Sequence, residues 1–190
     1  MKRSSALPYQ FEVYALLFSF AAERGDTKTV EMYKDIPNMI NQADSLGNTA
    51  LMLAASNGHT DTLVALCNTN GVNVNLQNYA GDTALMLAIQ FKHLKAIKVL
   101  LSATVTHDLS IKNVIDETAK SLALELQDPT LSIEITRWLD LYALTKQQHN
   151  TYTIVAPTPF TSLARSQSTT TSSSEKIKED DAKKPRALSQ

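Results

Sequence analysis

Apolar residues recur along this chain at helical spacing, and the pattern restarts every 34 residues. Thr49 to Asn57 carries Leu51, Met52, Leu53, Ala54 and Ala55; Thr83 to Phe91 carries Leu85, Met86, Leu87, Ala88 and Ile89. A second short run follows each, with Leu63, Leu66 and Cys67 in one and Ile97, Leu100 and Leu101 in the other. The pattern predicts paired helices, 49–57 with 61–67 and 83–91 with 94–101, joined by polar turns. Upstream, the run Val13 to Ala22 and then Val30, Met32 and Tyr33 predict another pair. That pair ends before Pro37, because proline disfavours helix in the residue ahead of it. Downstream, Asp116 to Ala123 echoes the central phrase, and Asp128-Pro129 supplies an N-cap with proline at the first helical position. Leu131, Ile135, Trp138 and Tyr142 then form one apolar face.

The two central pairs share more than spacing. Gly47-Asn48-Thr49-Ala50-Leu51-Met52-Leu53-Ala54 returns as Gly81-Asp82-Thr83-Ala84-Leu85-Met86-Leu87-Ala88, with seven of eight positions identical. Self-similarity at a period of about 20–50 residues marks stacked units that cannot bury their apolar faces alone. The phrase Gly-x-Thr-Ala-Leu-Met-Leu-Ala-Ala-x-x-Gly-His, with Gly58-His59 as the turn between paired helices, resembles the ankyrin repeat. The resemblance implies an all-α fold, an ankyrin-repeat solenoid of stacked helix-turn-helix units. Its repeats would lie at about 9–41, 42–75, 76–109 and 110–145. Ala50 and Ala84 stand where the family carries proline. Met52 and Met86 stand where it carries a histidine that ties neighbouring repeats by polar contacts. Thioether packing is expected in place of those ties. The end repeats are atypical. Lys120 and Ser121 fall where the inner repeats have Leu and Met, a polarity that fits a capping repeat whose outer side faces water.

Composition narrows the function. The net charge of −1 gives no basic stripe of the kind that marks a nucleic-acid partner. A lone Cys67 excludes an internal disulfide framework and a multi-thiolate zinc site. It fits a reducing, cytoplasmic-type compartment, and its place on a helix stripe puts it in the core. Met1-Lys2-Arg3 ahead of the apolar run imitates a signal peptide. The run is too short for a membrane span, however, and Ala21 to Asp26 aligns with Ala54 to His59. It is expected to be the first helix of a first repeat.

Chemistry-bearing residues are scattered. His59, His93, His107 and His149 show no metal-ligand spacing, and there is no phosphate loop or Gly-x-Ser-x-Gly. The expectation is a non-enzyme with no cofactor and no metal. His59 and His93, 34 residues apart, read as turn-stabilising residues of the repeat. What the resemblance implies instead is a protein-binding module that meets a protein partner on its concave face and turn tips; the sequence leaves its oligomeric state open, with a monomer favoured. The family's recognition positions fall on Leu46, Asn48 and Asn57 in repeat two, and on Tyr79, Asp82, Gln90 and Phe91 in repeat three. In repeat four they include Val114, Ile115, Glu117 and Glu125; in repeat one, Glu23 and Arg24. Leu46, Tyr79, Phe91 and Ile115 are large apolar residues at places that should be exposed, where interface energetics concentrate.

From about residue 150 the composition changes. Ser166 to Ser174 is nearly all Ser and Thr, and Glu175 to Lys184 is a mixed charge block. Too little apolar surface remains to offset the entropy of ordering, so residues 150–190 are expected to be a disordered C-terminal tail beyond a 1–149 repeat domain. The Ser/Thr run, the acidic residues Glu175, Glu179, Asp180 and Asp181, and Leu188 near the end resemble the C-terminal signal of bacterial type IVB secretion effectors. Two readings stand side by side. One is an effector secreted into a host cell to bind a host protein. The other is a resident cytosolic adaptor or inhibitor with a regulatory tail.

Overall fold

A computed structural model of the protein describes residues 7–103 and 105–152. Among them are α1 (Leu7–Arg24), α2 (Thr27–Tyr33), α3 (Ala50–Ser56), α4 (Thr60–Cys67), α5 (Ala84–Gln90), α6 (Leu94–Ser102), α7 (Ala119–Leu124) and α8 (Pro129–Tyr152). No strand occurs among the described residues, only an isolated antiparallel bridge between Ala43 and Thr49. Consecutive helices pair, and the pairs stack in two layers. Odd-numbered helices pack in the order α1, α3, α5, α7, and even-numbered ones in the order α2, α4, α6, α8. This is the helix-turn-helix stack expected from the repeat.

The repeated phrase builds the inner layer. Thr49 and Thr83 cap α3 and α5, each Oγ1 accepting at 3.4 Å from the backbone N–H of Met52 or Met86. Thr118 does the same for α7 with Ser121, at 3.2 Å. Helices α3 and α5 have neighbours on both sides, so they are buried nearly all round. Every residue of α5 from Ala84 to Ile89 is buried. Met52, Leu85, Met86 and Ile89 are at most 2% exposed, each contributing on the order of 2 kcal/mol by removal from water. Cys67 lies in the same core, and burial pushes its thiol up to about 11.

Neighbouring repeats are tied by polar contacts after all, made by other residues than the family histidine. His59 donates from Nε2 to the Glu23 carbonyl at 2.8 Å, and His93 to the Ser56 carbonyl at 2.9 Å. Each ring lies against the turn glycine of the preceding repeat. A Cβ on Gly25 would sit 2.5 Å from His59 Nδ1, and one on Gly58 2.6 Å from His93 Nδ1. Both glycines are also left-handed, at φ +72°. Lys92 takes this turn position in repeat three and adopts φ +61°. Repeat four carries Gln127-Asp128 where the next histidine would fall, so no ring excludes its side chain. A second set of ties comes from Asn41 and Asn75. Asn41 donates to the Gly71 carbonyl at 2.8 Å and accepts from Asn73 N–H at 2.9 Å. Asn75 repeats this with Thr106 at 2.9 Å and Asp108 at 2.8 Å.

The last repeat departs from the polar cap expected of it. Lys120 is exposed and pairs with Asp140 at 2.6 Å, and Ser121 completes the α7 cap. Around them, however, Leu124, Ile133, Leu141 and Leu144 are 58–70% exposed. Two polar positions on α7 do not set the polarity of a face built mainly by α8. Asp128 caps α8 as expected, accepting from Thr130 N–H at 2.9 Å. The helix runs on to Tyr152, beyond the 149/150 boundary drawn from composition. The expected disordered tail and its secretion-signal resemblance otherwise concern residues 153–190, which lie outside the described residues.

Candidate partner-binding surface

Three turn tips, at residues 44–48, 78–82 and 113–117, share one local design. The first residue of each accepts two backbone N–H groups on its side-chain oxygen. Asp44 holds Leu46 and Asn48, both at 2.8 Å. Asn78 holds Ala80 at 3.0 Å and Asp82 at 2.9 Å. Asn113 holds Ile115 at 3.2 Å and Glu117 at 2.9 Å. Asn and Asp favour such turns because a short side chain can mimic the backbone's own turn bond. The chain then passes through a left-handed residue, Gly47, Gly81 or Asp116.

The tips are also joined to one another. Tyr79 N–H donates to the Leu46 carbonyl at 3.1 Å, and Val114 N–H to the Ala80 carbonyl at 3.0 Å. Side chains reinforce this link. Asn78 Nδ2 donates to Asn48 Oδ1 at 2.9 Å, and Asn113 Nδ2 to Asp82 Oδ1 at 3.1 Å and Glu117 Oε2 at 2.9 Å. Gln77 bridges the Gly81 and Lys112 carbonyls at 2.6 and 2.8 Å. With its turn bonds made internally and along the row, the backbone of the tips is fixed before any partner arrives.

These bonds sort the residues expected from sequence. Leu46, Tyr79 and Ile115 stand out from successive tips at 65, 77 and 70% exposure, joined by Val114 at 73%. The Tyr79 ring lies across the preceding tip, its Cδ1 2.9 Å from where a Cβ on Gly47 would be. Asn57, Gln90 and Phe91 are exposed at the C-terminal ends of α3 and α5. Asn57 is partly engaged there, donating to the Leu53 carbonyl at 2.9 Å, and the Phe91 ring stacks near His93. Asn48 and Asp82 are spent on the tip-to-tip links, with Asp82 only 9% exposed. Sequence register places them beside the apolar tip residues, but the tip-to-tip bonds they make, Asn48 with Asn78 and Asp82 with Asn113, span some 30 residues and leave no local signal. Outside the family's recognition positions, Leu16, Leu17 and Phe20 of α1 and Ile133, Leu141 and Leu144 of α8 are exposed as well. In α1 the sequence signal is the run Val13 to Ala22, apolar at every position but Ser19.

Among the described residues, no group of three or more His, Cys, Asp or Glu is placed to hold a metal ion, and no helix is long and apolar enough to cross a membrane. Residues 18–113 match the model for ankyrin repeats in three copies. The chain belongs to the ankyrin-repeat family. Its repeats therefore make it a protein–protein interaction module. It is 40% identical to the photoreceptor ankyrin repeat protein of Homo sapiens over 73 residues, 38% of this chain and 16% of that protein. It is 36% identical to the E3 ubiquitin-protein ligase XBAT33 of Arabidopsis thaliana over 83 residues, 43% and 16% of the two. It is also similar to alpha-latrotoxin-Lt1a of Latrodectus tredecimguttatus, 41% identical over 54 residues, 28% of this chain and 4% of the toxin. The chain thus spans 16% of the length of the first two relatives, and the likeness is one of ankyrin repeats.

Proposed function

We propose that this ankyrin domain captures a partner protein on its row of turn tips, with Leu46, Tyr79 and Ile115 as apolar anchors and Asn57, Gln90 and Phe91 extending the contact along the inner helices. One observation carries the reading. Large apolar side chains, each at least 65% exposed, sit on three successive tips whose backbone is already fixed by hydrogen bonds. Anchors on a preorganised frame lose little conformational entropy on binding, so more of the contact energy appears as affinity. Asn48 and Asp82 act in this scheme by holding neighbouring tips in register.

Tyr79→Ala removes the most exposed anchor without touching the core. It is expected to weaken a captured partner at least about tenfold while leaving the melting temperature within a degree or two. Affinity capture should therefore compare wild type, Tyr79→Ala, and Lys95→Ala, which alters an exposed position on α6. A partner retained equally by all three does not use the tips, and one lost with Tyr79→Ala alone does.

A second reading rests on the composition of residues 151–190. Their Ser/Thr run, acidic block and Leu188 support an exported effector that carries its ankyrin domain to a host protein. A reporter fused to residues 151–190 is then translocated through a type IVB system. An inert fusion favours a resident adaptor or inhibitor with the same binding surface.

A further inference from the structure

The side of α1 opposite the buried Phe18 and Ala22 carries Val13, Leu16, Leu17 and Phe20 at 44, 69, 44 and 54% exposure. Spacing of i, i+3, i+4 and i+7 makes them one continuous stripe. Arg24 lies one turn further along it, its guanidinium 5.3 Å from the centre of the Phe20 ring. This is where a preceding repeat would stack in a solenoid, yet the stripe has the wrong residues for that. At the place of Leu17, the other repeats carry Ala50, Ala84 and Ala119, which are at most 2% exposed. Alanine lets stacked inner helices approach closely. A leucine there presents a knob instead.

We propose that the stripe pairs two copies of this chain, with α1 antiparallel to α1 of a second copy. The stripe is complementary to itself. About an axis between Leu16 and Leu17, Phe20 faces Val13 of the second copy and Leu17 faces Leu16. The same rotation brings Arg24 within about one helical turn of the exposed Glu12 on the flank of the other helix, at both ends of the interface at once. Opposite charges beside an apolar seam fix partner and direction in paired helices. The competing arrangement sets α1 head-to-tail against Leu124, Ile133, Leu141 and Leu144 of another copy. It forces Leu17 into the register of Ala50, and it propagates without closing. The four stripe residues expose on the order of 400 Å² per copy, about half the ~800 Å² per partner of a standard interface. The dimer is therefore weak and concentration-dependent. It shares no residue with the tip row.

Sedimentation of the full chain from micromolar to millimolar concentration tests this. The expected result is a monomer–dimer equilibrium that Leu16→Glu weakens at least about tenfold with the melting temperature unchanged. Arg24→Glu and Glu12→Arg each weaken the dimer by placing like charges together, and the double variant restores it. A monomer at every concentration overturns the proposal, as when residues outside the described ones cover the stripe. So does a dimer indifferent to Leu16→Glu, or a double variant with no rescue. Assemblies larger than a dimer that Leu141→Glu abolishes also overturn it, in favour of the head-to-tail contact.

Discussion

Replacing Gly58 with alanine probes the contact that ties repeat two to repeat three. Two separate costs are expected. The left-handed backbone at φ +72° penalises any Cβ, by about 1–2 kcal/mol. That Cβ would also lie 2.6 Å from His93 Nδ1, so the ring must move and its 2.9 Å bond to the Ser56 carbonyl is lost, about 1 kcal/mol more. Gly58→Ala should therefore destabilise by about 2–3 kcal/mol, a fall in melting temperature of roughly 6–12 °C for a domain of this size. His93→Ala alone should cost about 1–2 kcal/mol through the lost bond and ring packing. In the His93→Ala background the clash is gone, and Gly58→Ala should cost only its backbone penalty. The double-mutant cycle therefore shows a coupling of about 1 kcal/mol between the two sites. Urea denaturation followed by circular dichroism measures all four corners. Equal costs of Gly58→Ala in both backgrounds would refute the argument that the ring, as well as φ, demands glycine. Lys92→Gly is the matching control. It relieves a left-handed lysine with no ring beside it, and should be neutral or stabilising by up to ~1 kcal/mol.

Two further perturbations follow from single contacts. His107 is buried, donates from Nε2 to the Leu100 carbonyl at 3.0 Å, and receives the Tyr142 ring edge-on. Desolvation lowers its pKa from 6.5 to about 4, with Lys146 adding repulsion and the Leu100 bond opposing. The folded state thus resists a proton that the unfolded chain accepts. Stability should be level above about pH 7, fall as pH drops below 6.5, and lose on the order of 3 kcal/mol by pH 4. His107→Gln should flatten that stretch of the profile in denaturant titrations, and parallel profiles for both proteins would sink the assignment. Asn75→Ala removes both the bond to Thr106 and that from Asp108, and should cost about 1–3 kcal/mol. An effect below ~0.5 kcal/mol in urea denaturation would show that water replaces it at no cost.

The repeat unit was legible because its determinants are local. Thr49 and Thr83 cap helices within three residues of themselves, and the unbroken apolar runs of α3 and α5 mark them as helices buried nearly all round. Gly25 and Gly58 stand at one turn position of the repeat pattern, where repeat three has Lys92. The exposure of Leu46, Tyr79 and Ile115 followed from the same register, since an apolar residue at a turn position has little core to reach. Asn48 and Asp82 were less legible. A polar residue at a turn tip reads the same whether it faces a partner or bonds to the next repeat.

By itself, then, the sequence determined the helix pairs, their order and the ankyrin family, since period, caps and turn residues act over a few positions. Only the tertiary structure decided what each repeat meets. It set His59 and His93 on the carbonyls of the preceding inner helix, committed Asn48 and Asp82 to the links between tips, and left Leu16, Phe20, Ile133 and Leu141 exposed at the ends of the stack. The physical reason is the solenoid itself. The side-chain bonds that tie one repeat to the next join residues 30 to 37 positions apart, and among the described residues no helix pair stacks on the outer side of the first or the last repeat.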